Sequence, residues 1–253
     1  MPAERGAIGI CAACLHEGLH CRACGKRIRG AFVVINGNDG PYCNACMRAY
    51  PQCDLCGAPA HAGAVQYEDD RIVCARCTQT AIVDPREAEM LFERVIDLID
   101  AILGLRLNLR PRLMLVDHAR LVELARNAAA ETGHTSDKAL GLFMRNGRKR
   151  VIYLQEHLPR IMLIQIAAHE FAHAWEGENA PLMIDPTLRE GFAEWVAYHA
   201  LTRLDAPKKA AQMLARPDLY GRGLRYFLEI EKRTGIAGVL NACRNSKLVI
   251  RNS

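Results

Sequence analysis

No stretch of the chain approaches eighteen uninterrupted apolar residues, which by hydropathy leaves no candidate membrane-spanning helix. The opening Met-Pro-Ala-Glu-Arg has no apolar signal core behind it, so a soluble, cytoplasmic protein is expected. Basic residues are not gathered into a patch, apart from Arg145 to Arg150, whose Asn-Gly centre reads as a solvated hairpin turn. Beyond residue 77 cysteine is absent except for Cys243, which reads as an ordinary buried thiol. The formal net charge of +5 does not argue for a nucleic-acid partner. Two four-cysteinate zinc centres would each carry two negative charges and offset most of it. With 253 residues, half of them hydrophobic, the chain can hold one sizeable core and a smaller module without oligomerising.

What the chain does have is cysteine at its amino-terminal end. Ten of the 11 cysteines form five Cys-x-x-Cys pairs within residues 11 to 77, a spacing suited to chelation rather than to cross-linking. An internal repeat organises four of the pairs. Cys21 and Cys24 are followed after eighteen residues by Cys43 and Cys46, and Cys53 and Cys56 after seventeen by Cys74 and Cys77. Each unit begins Cys-x-x-Cys-Gly, passes through a β-like stretch and a polar turn, and returns to its second pair. Two paired zinc ribbons are predicted, each closing one tetrahedral zinc. So short a segment has little apolar core, and metal binding supplies about 10 kcal/mol of folding free energy per site. Cys11 and Cys14 fall outside the repeat. With His16 and His20 they either complete a third structural zinc, or they are a metal-free remnant or mark a truncated gene start.

The second feature is His169-Glu-Phe-Ala-His173, followed seventeen positions later by Glu190 and then by Glu194. Residues four apart share a helix face, so the two imidazoles can grip one small cation. Glu170 is turned to the side, where it can reach a water on the ion as a general base. A second helix would supply Glu190 as third ligand, with Glu194 accepting the remaining N–H of a histidine, His169 by preference. Two histidines and one carboxylate leave a fourth position open, which marks a catalytic rather than a closed zinc site. Pro159 to Trp175 reads as a buried helix, since its residues are apolar nearly all round. Tyr198, His199, Tyr220 and Tyr226 are candidate oxyanion donors, and spacing does not choose among them.

Between these regions, residues 78 to 104 carry apolar positions at helical spacing, bracketed by Asp84-Pro85 and Gly104. Leu113 to Val116 reads as a short strand and Ala119 to Glu131 as an amphipathic helix. Leu140 to Arg145 and Val151 to Gln155 flank the Asn146-Gly147 turn as a hairpin, either a purely structural one or one whose edge pairs with an extended substrate.

Taken together, these residues resemble the LIM-domain, ubiquitin-activated zinc peptidases that restrain organ growth in plants, and their bacterial relatives. The resemblance runs through the tandem cysteine module, the stretch Tyr67 to Cys77 into Ala81-Ile-Val-Asp84, the bridging helix, and His169 to Trp175 with Glu190-Gly191. More distantly, Glu190-Gly-Phe-Ala-Glu194-Trp195 is similar to the gluzincin aminopeptidases, in which the glutamate before that glycine is the zinc ligand. Two departures stand out in the module: Cys43 occupies a place where LIM domains usually have histidine, and six residues rather than two separate the sites. The residues ahead of the module do not read as a ubiquitin-interacting helix, so activation by ubiquitin is not expected. The Gly-x-Met-Glu-Asn motif that holds a free amino terminus is missing, which favours an endopeptidase.

The resemblance implies an α+β protein: a small treble-clef or zinc-ribbon, LIM-like module over residues 1–80, a bridging helix over 81–104, and a mainly helical, gluzincin-like metallopeptidase domain over 105–253 with a short β-hairpin or sheet. One catalytic and two or three structural zinc ions are expected. Protein or peptide would be the substrate, and a regulatory protein could engage the cysteine module. The rival reading is a zinc-ribbon interaction or nucleic-acid-binding module carrying an inactive peptidase-like scaffold. A third reading has the module cover its own catalytic cleft.

Overall fold

The computed structural model describes residues 18–35, 40–132 and 139–245, with side chains of the second segment described to residue 128. The chain divides into two compact units between Thr78 and Gln79. Among the described residues, helices and small sheets are mixed, and no helix is long and apolar enough to cross a membrane.

The first unit is built twice to one plan. Strands β1 (Phe32–Val34) and β2 (Pro41–Cys43) form an antiparallel pair leading into helix α1 (Asn44–Ala49). Strands β3 (Val65–Gln66) and β4 (Ile72–Val73) pair likewise before helix α2 (Ala75–Gln79). Ahead of each pair the Cys-x-x-Cys-Gly turn folds back on itself. Gly25 N–H bonds Cys21 O at 2.8 Å and Gly57 N–H bonds Cys53 O at 2.8 Å. Both glycines sit at φ 71, a conformation that a side chain would strain. The second cysteine pair of each unit therefore stands at a short helix rather than in a second turn, which differs from the ribbon expectation. The sequence between Cys43 and Cys46 is helix-compatible, and Cys43 serves as the N-cap, its Sγ accepting from Cys46 N–H.

The second unit has its own core. Helix α3 (Pro85–Leu103) starts at Asp84, whose carboxylate accepts from Arg86 N–H, and stops at left-handed Gly104. Its buried face runs through Ala88, Leu91, Phe92, Val95, Ile99 and Leu103 at three- and four-residue intervals. Strand β5 (Arg112–Val116), helix α4 (His118–Thr132), strands β6 (Gly141–Asn146) and β7 (Lys149–Gln155) follow. The sheet order is β5-β7-β6, with β5 parallel and β6 antiparallel to the central β7. The hairpin closes on Asn146 and Lys149, so its loop is Gly147-Arg148, one residue later than the sequence suggests. Gly147, at φ 57, is the first loop residue, where the glycine of a two-residue turn is favoured.

Helix α5 (Arg160–Asn179) lies at the centre, packed against α3, the sheet, and α6 (Pro186–Arg203). It runs four residues past Trp175, and Ala167, Ala168, Phe171, Ala172 and Trp175 are all at most 1% exposed. Helix α7 (Pro207–Ala215) and α8 (Leu219–Arg244) close the unit, α8 lying along α6. Trp175, Phe192, Trp195 and Phe227 join α5, α6 and α8 in one aromatic cluster, with ring centroids 5.3 to 5.7 Å apart from Phe192.

Candidate metal centres

Among the described residues, three groups of side chains converge on points where an ion could sit: Cys21, Cys24, Cys43 and Cys46; Cys53, Cys56, Cys74 and Cys77; and His169, His173 and Glu190. Within each group the ligand atoms lie within 4.8 Å of one another.

The cysteine tetrads fit a tetrahedral ion by size, and backbone donors face their sulfurs. Sulfurs bonded to zinc at about 2.3 Å would sit about 3.8 Å apart around a tetrahedron. Cys56 Sγ and Cys74 Sγ are 3.7 Å apart. Backbone N–H groups turn toward the sulfurs, with Cys43 N–H to Cys21 Sγ and Cys74 N–H to Cys53 Sγ both at 3.3 Å. Burial opposes ionisation of Cys21, yet backbone donors from Cys43 and Cys24 bring its thiol down to about 6. Thiolate is the form that binds metal. Both tetrads could hold zinc. Cys11, Cys14 and His16 lie outside the described residues. His20 is exposed and bridges to Arg27.

The third group is built by α5 and α6. His169 and His173 lie one turn apart, rings edge to face, with their Nε2 atoms 3.1 Å from each other. Glu190, five residues into α6, brings Oε2 to 3.1 Å from His169 Nε2 and 3.6 Å from His173 Nε2. Donors bonded to zinc at 2.0–2.1 Å around a tetrahedron would be about 3.3 to 3.4 Å apart. The three observed separations bracket that spacing, so these residues fit a small divalent ion. Charge argues the same way: four carboxylates, from Glu170, Glu176, Glu190 and Glu194, surround two imidazoles, and Arg189 and Arg216 pair with Glu176 and Glu194.

Both imidazoles are held from behind. His169 Nδ1 meets Glu194 Oε1 at 3.3 Å, and His173 Nδ1 meets Glu176 Oε2 at 3.1 Å. Such partners fix the tautomer and aim Nε2 at the ion. Arg189 Nε reaches Glu176 at 3.4 Å and Arg216 Nη1 reaches Glu194 at 3.7 Å. Among the described residues the buried carboxylates are Glu170, Glu176 and Glu194, and all three stand around this pair of histidines. Burying acids is costly unless they are paired, so their concentration here marks the site. Among the described residues, Glu176 Oε1 and Glu194 Oε2 have no hydrogen-bond partner and are buried.

Burial favours neutral imidazoles, but the carboxylates outweigh it. Glu190 and Glu194 hold His169 up at about 9, and Glu176 with Glu190 holds His173 well above its ordinary value. Burial also opposes ionisation of Glu190, yet the two imidazoles bring its carboxyl below the usual range. Burial raises the Glu170 carboxyl, with Glu190 adding to it. Glu170 Oε2 accepts a hydrogen bond from Phe143 N–H at 2.8 Å.

Of the four oxyanion candidates, the fold brings Tyr220 beside the site, its ring 6.2 Å from that of His169 and stacked under the Arg216 guanidinium at 4.4 Å. Burial and the Glu190 charge push its phenol up to about 12. His199 bonds Glu231 at 2.9 Å, with Tyr198 against its ring, and Tyr226 packs on Phe227. Sequence reasoning missed Glu176, although its place three residues after His173 on one helix is a local signal. Arg189, Arg216 and the Phe143 amide have no such signal, since they arrive through tertiary packing.

No protein-family profile, curated protein or solved structure matches the chain.

Proposed function

We propose that the chain is a zinc-dependent peptidase that hydrolyses internal peptide bonds of protein substrates. The observation that carries this reading is the convergence of His169 Nε2, His173 Nε2 and Glu190 Oε2 at separations of 3.1 to 3.6 Å, with the buried Glu170 carboxylate on the next helical position. An ion held there supplies Lewis acidity that acidifies water and polarises a carbonyl. Glu170 takes a proton from the attacking water and delivers it to the departing amine nitrogen. Glu194 and Glu176 keep the two imidazoles oriented. Tyr220, protonated at neutral pH, is the oxyanion donor. The missing Gly-x-Met-Glu-Asn motif supports an endopeptidase over an aminopeptidase.

In this reading the first unit is a LIM-like, treble-clef module that binds substrate or a regulatory protein, and the second unit, with helix α3 in its core, is a gluzincin-like catalytic domain. The hairpin followed by a short helix at each tetrad supports the treble-clef assignment.

The test pairs metal analysis with cleavage of fluorescence-quenched peptides and an unfolded protein by the full chain. Glu170→Gln should keep its zinc and lose about 10²- to 10⁴-fold in kcat. Equal cleavage by wild type and Glu170→Gln would reject the mechanism.

A further inference from the structure

We infer that the backbone N–H of Phe143 is a positioning group for Glu170, so that an edge strand aims the general base. The inference rests on the reading of Glu170 as that base.

The pairing register places this N–H. Asn146 and Lys149 bound the two-residue hairpin loop, so they exchange ladder hydrogen bonds, and the pattern alternates from there along the antiparallel pair. Leu142 and Met144 turn their N–H and C=O groups toward β7. Gly141, Phe143 and Arg145 turn theirs outward. The bond from Gln155 N–H to Leu140 O at 3.0 Å continues the inward set. Among the described residues strand β6 is at the edge of its sheet, so its outward groups meet no strand there. Phe143 N–H meets Glu170 Oε2 instead, at 2.8 Å.

That contact needs the strand to lie close on α5, and Gly141 permits it. A Cβ at Gly141 would come 2.5 Å from Ile166 Cγ2 and 3.0 Å from Glu170 Cγ. Any side chain there would lift β6 away from the helix. Glu170 is only 8% exposed, and its Oε1 makes no hydrogen bond among the described residues. One oxygen is therefore anchored and the other is left to handle the proton. A flexible glutamate so held loses little further freedom on reaching the reactive geometry.

Two measurements on the zinc-loaded full chain test this. The first is amide hydrogen exchange resolved by residue. Phe143 N–H should exchange at least about 10-fold more slowly than the outward Arg145 N–H, as one made hydrogen bond requires. Glu170→Ala should remove that difference while Leu142 and Met144 stay protected. Equal exchange at Phe143 and Arg145 in wild type, or protection that survives Glu170→Ala, overturns the inference. The second compares Phe143→Pro with Phe143→Ala. Proline at an outward edge position removes this N–H without breaking a ladder bond. Relative to the alanine variant, kcat should fall about 10- to 100-fold, the scale of one hydrogen bond to a charged group, with KM and bound zinc little changed. Equal kcat for the two variants also overturns it. If Phe143→Pro does not fold, the exchange result decides alone. A chain with a protected Phe143 amide and no peptidase activity would reject the hydrolase reading and leave the contact standing.

Discussion

Gly191 and Gly223 meet backbone to backbone where α6 crosses α8: a Cβ on either would lie 2.5 Å from the Cα of the other. Gly191 directly follows Glu190, so this tight crossing of the two helices lies beside the third ligand. Alanine at either position must push the helices apart. Gly191→Ala is expected to cost about 1–3 kcal/mol as an overpacked contact, lowering Tm by several degrees in a unit of this size. It should also weaken metal binding at the histidines more than a core substitution of equal cost such as Val239→Ala. Thermal melts beside zinc competition against a chelator would show this, and a Gly191→Ala chain as stable as wild type would contradict it.

Glu176 and Glu194 orient one imidazole each, and removing either should loosen the ion without removing a ligand. Glu176→Ala and Glu194→Ala are each expected to lower zinc affinity about 10- to 100-fold. Glu190→Ala, which removes a donor, should lower it further. Affinities for the two orienting variants that match wild type would assign those carboxylates to packing alone.

Zinc uptake at the histidines should release protons. In the metal-free chain His169 is held at about 9, above its ordinary 6.5, by Glu190 and Glu194 against the opposing effect of burial. A raised folded value means that the charged imidazole contributes stability that is fully present below 6.5 and is lost as pH rises through about 9. Metal needs the neutral form, so between about pH 7 and pH 9 binding must displace these protons. Affinity should climb with pH across that window and flatten above it. Calorimetry in buffers of different ionisation enthalpy measures the release, and zero release at pH 7.5 would count against the shift.

Chelation should divide the cysteines into two classes. Removing metal from the tetrads should unfold the first unit and expose its sulfurs to alkylation, because about 10 kcal/mol of folding free energy per site goes with the metal. Cys243 is 0% exposed in the second unit, and burial, aided by the Glu176 charge, pushes its thiol up to about 12. It should stay unlabelled until denaturant is added. Mass spectrometry of the alkylated chain distinguishes the classes. Labelling of Cys243 as fast as Cys24 would show that the second unit does not hold together after chelation.

What the sequence made legible was local. The cysteine tetrads rest on pairs spaced by two residues, and both appear as converging sulfurs. Asp84 and Gly104 bracket α3 because capping chemistry is set by one or two residues. The His169, His173 and Glu190 group was readable because each helix alone fixes which residues share its face. What stayed hidden depends on where separate elements meet. Nothing near Gly191 announces Gly223, and nothing near Glu194 announces Arg216. Tyr220 could not be separated from Tyr198 or Tyr226 until α8 was seen beside His169. The hairpin loop slipped by one residue because Asn146-Gly147 is a strong local signal for a turn, while the register was set by the whole β6–β7 pairing.

Helix α5 carries both histidines and Glu170 on a segment whose other faces are packed in the core. These three groups thus have no hinge of their own and cannot drift apart while the helix survives. Heating should extinguish the site and the second unit's fold in one cooperative step, with no window in which the scaffold persists and its centre has already come apart.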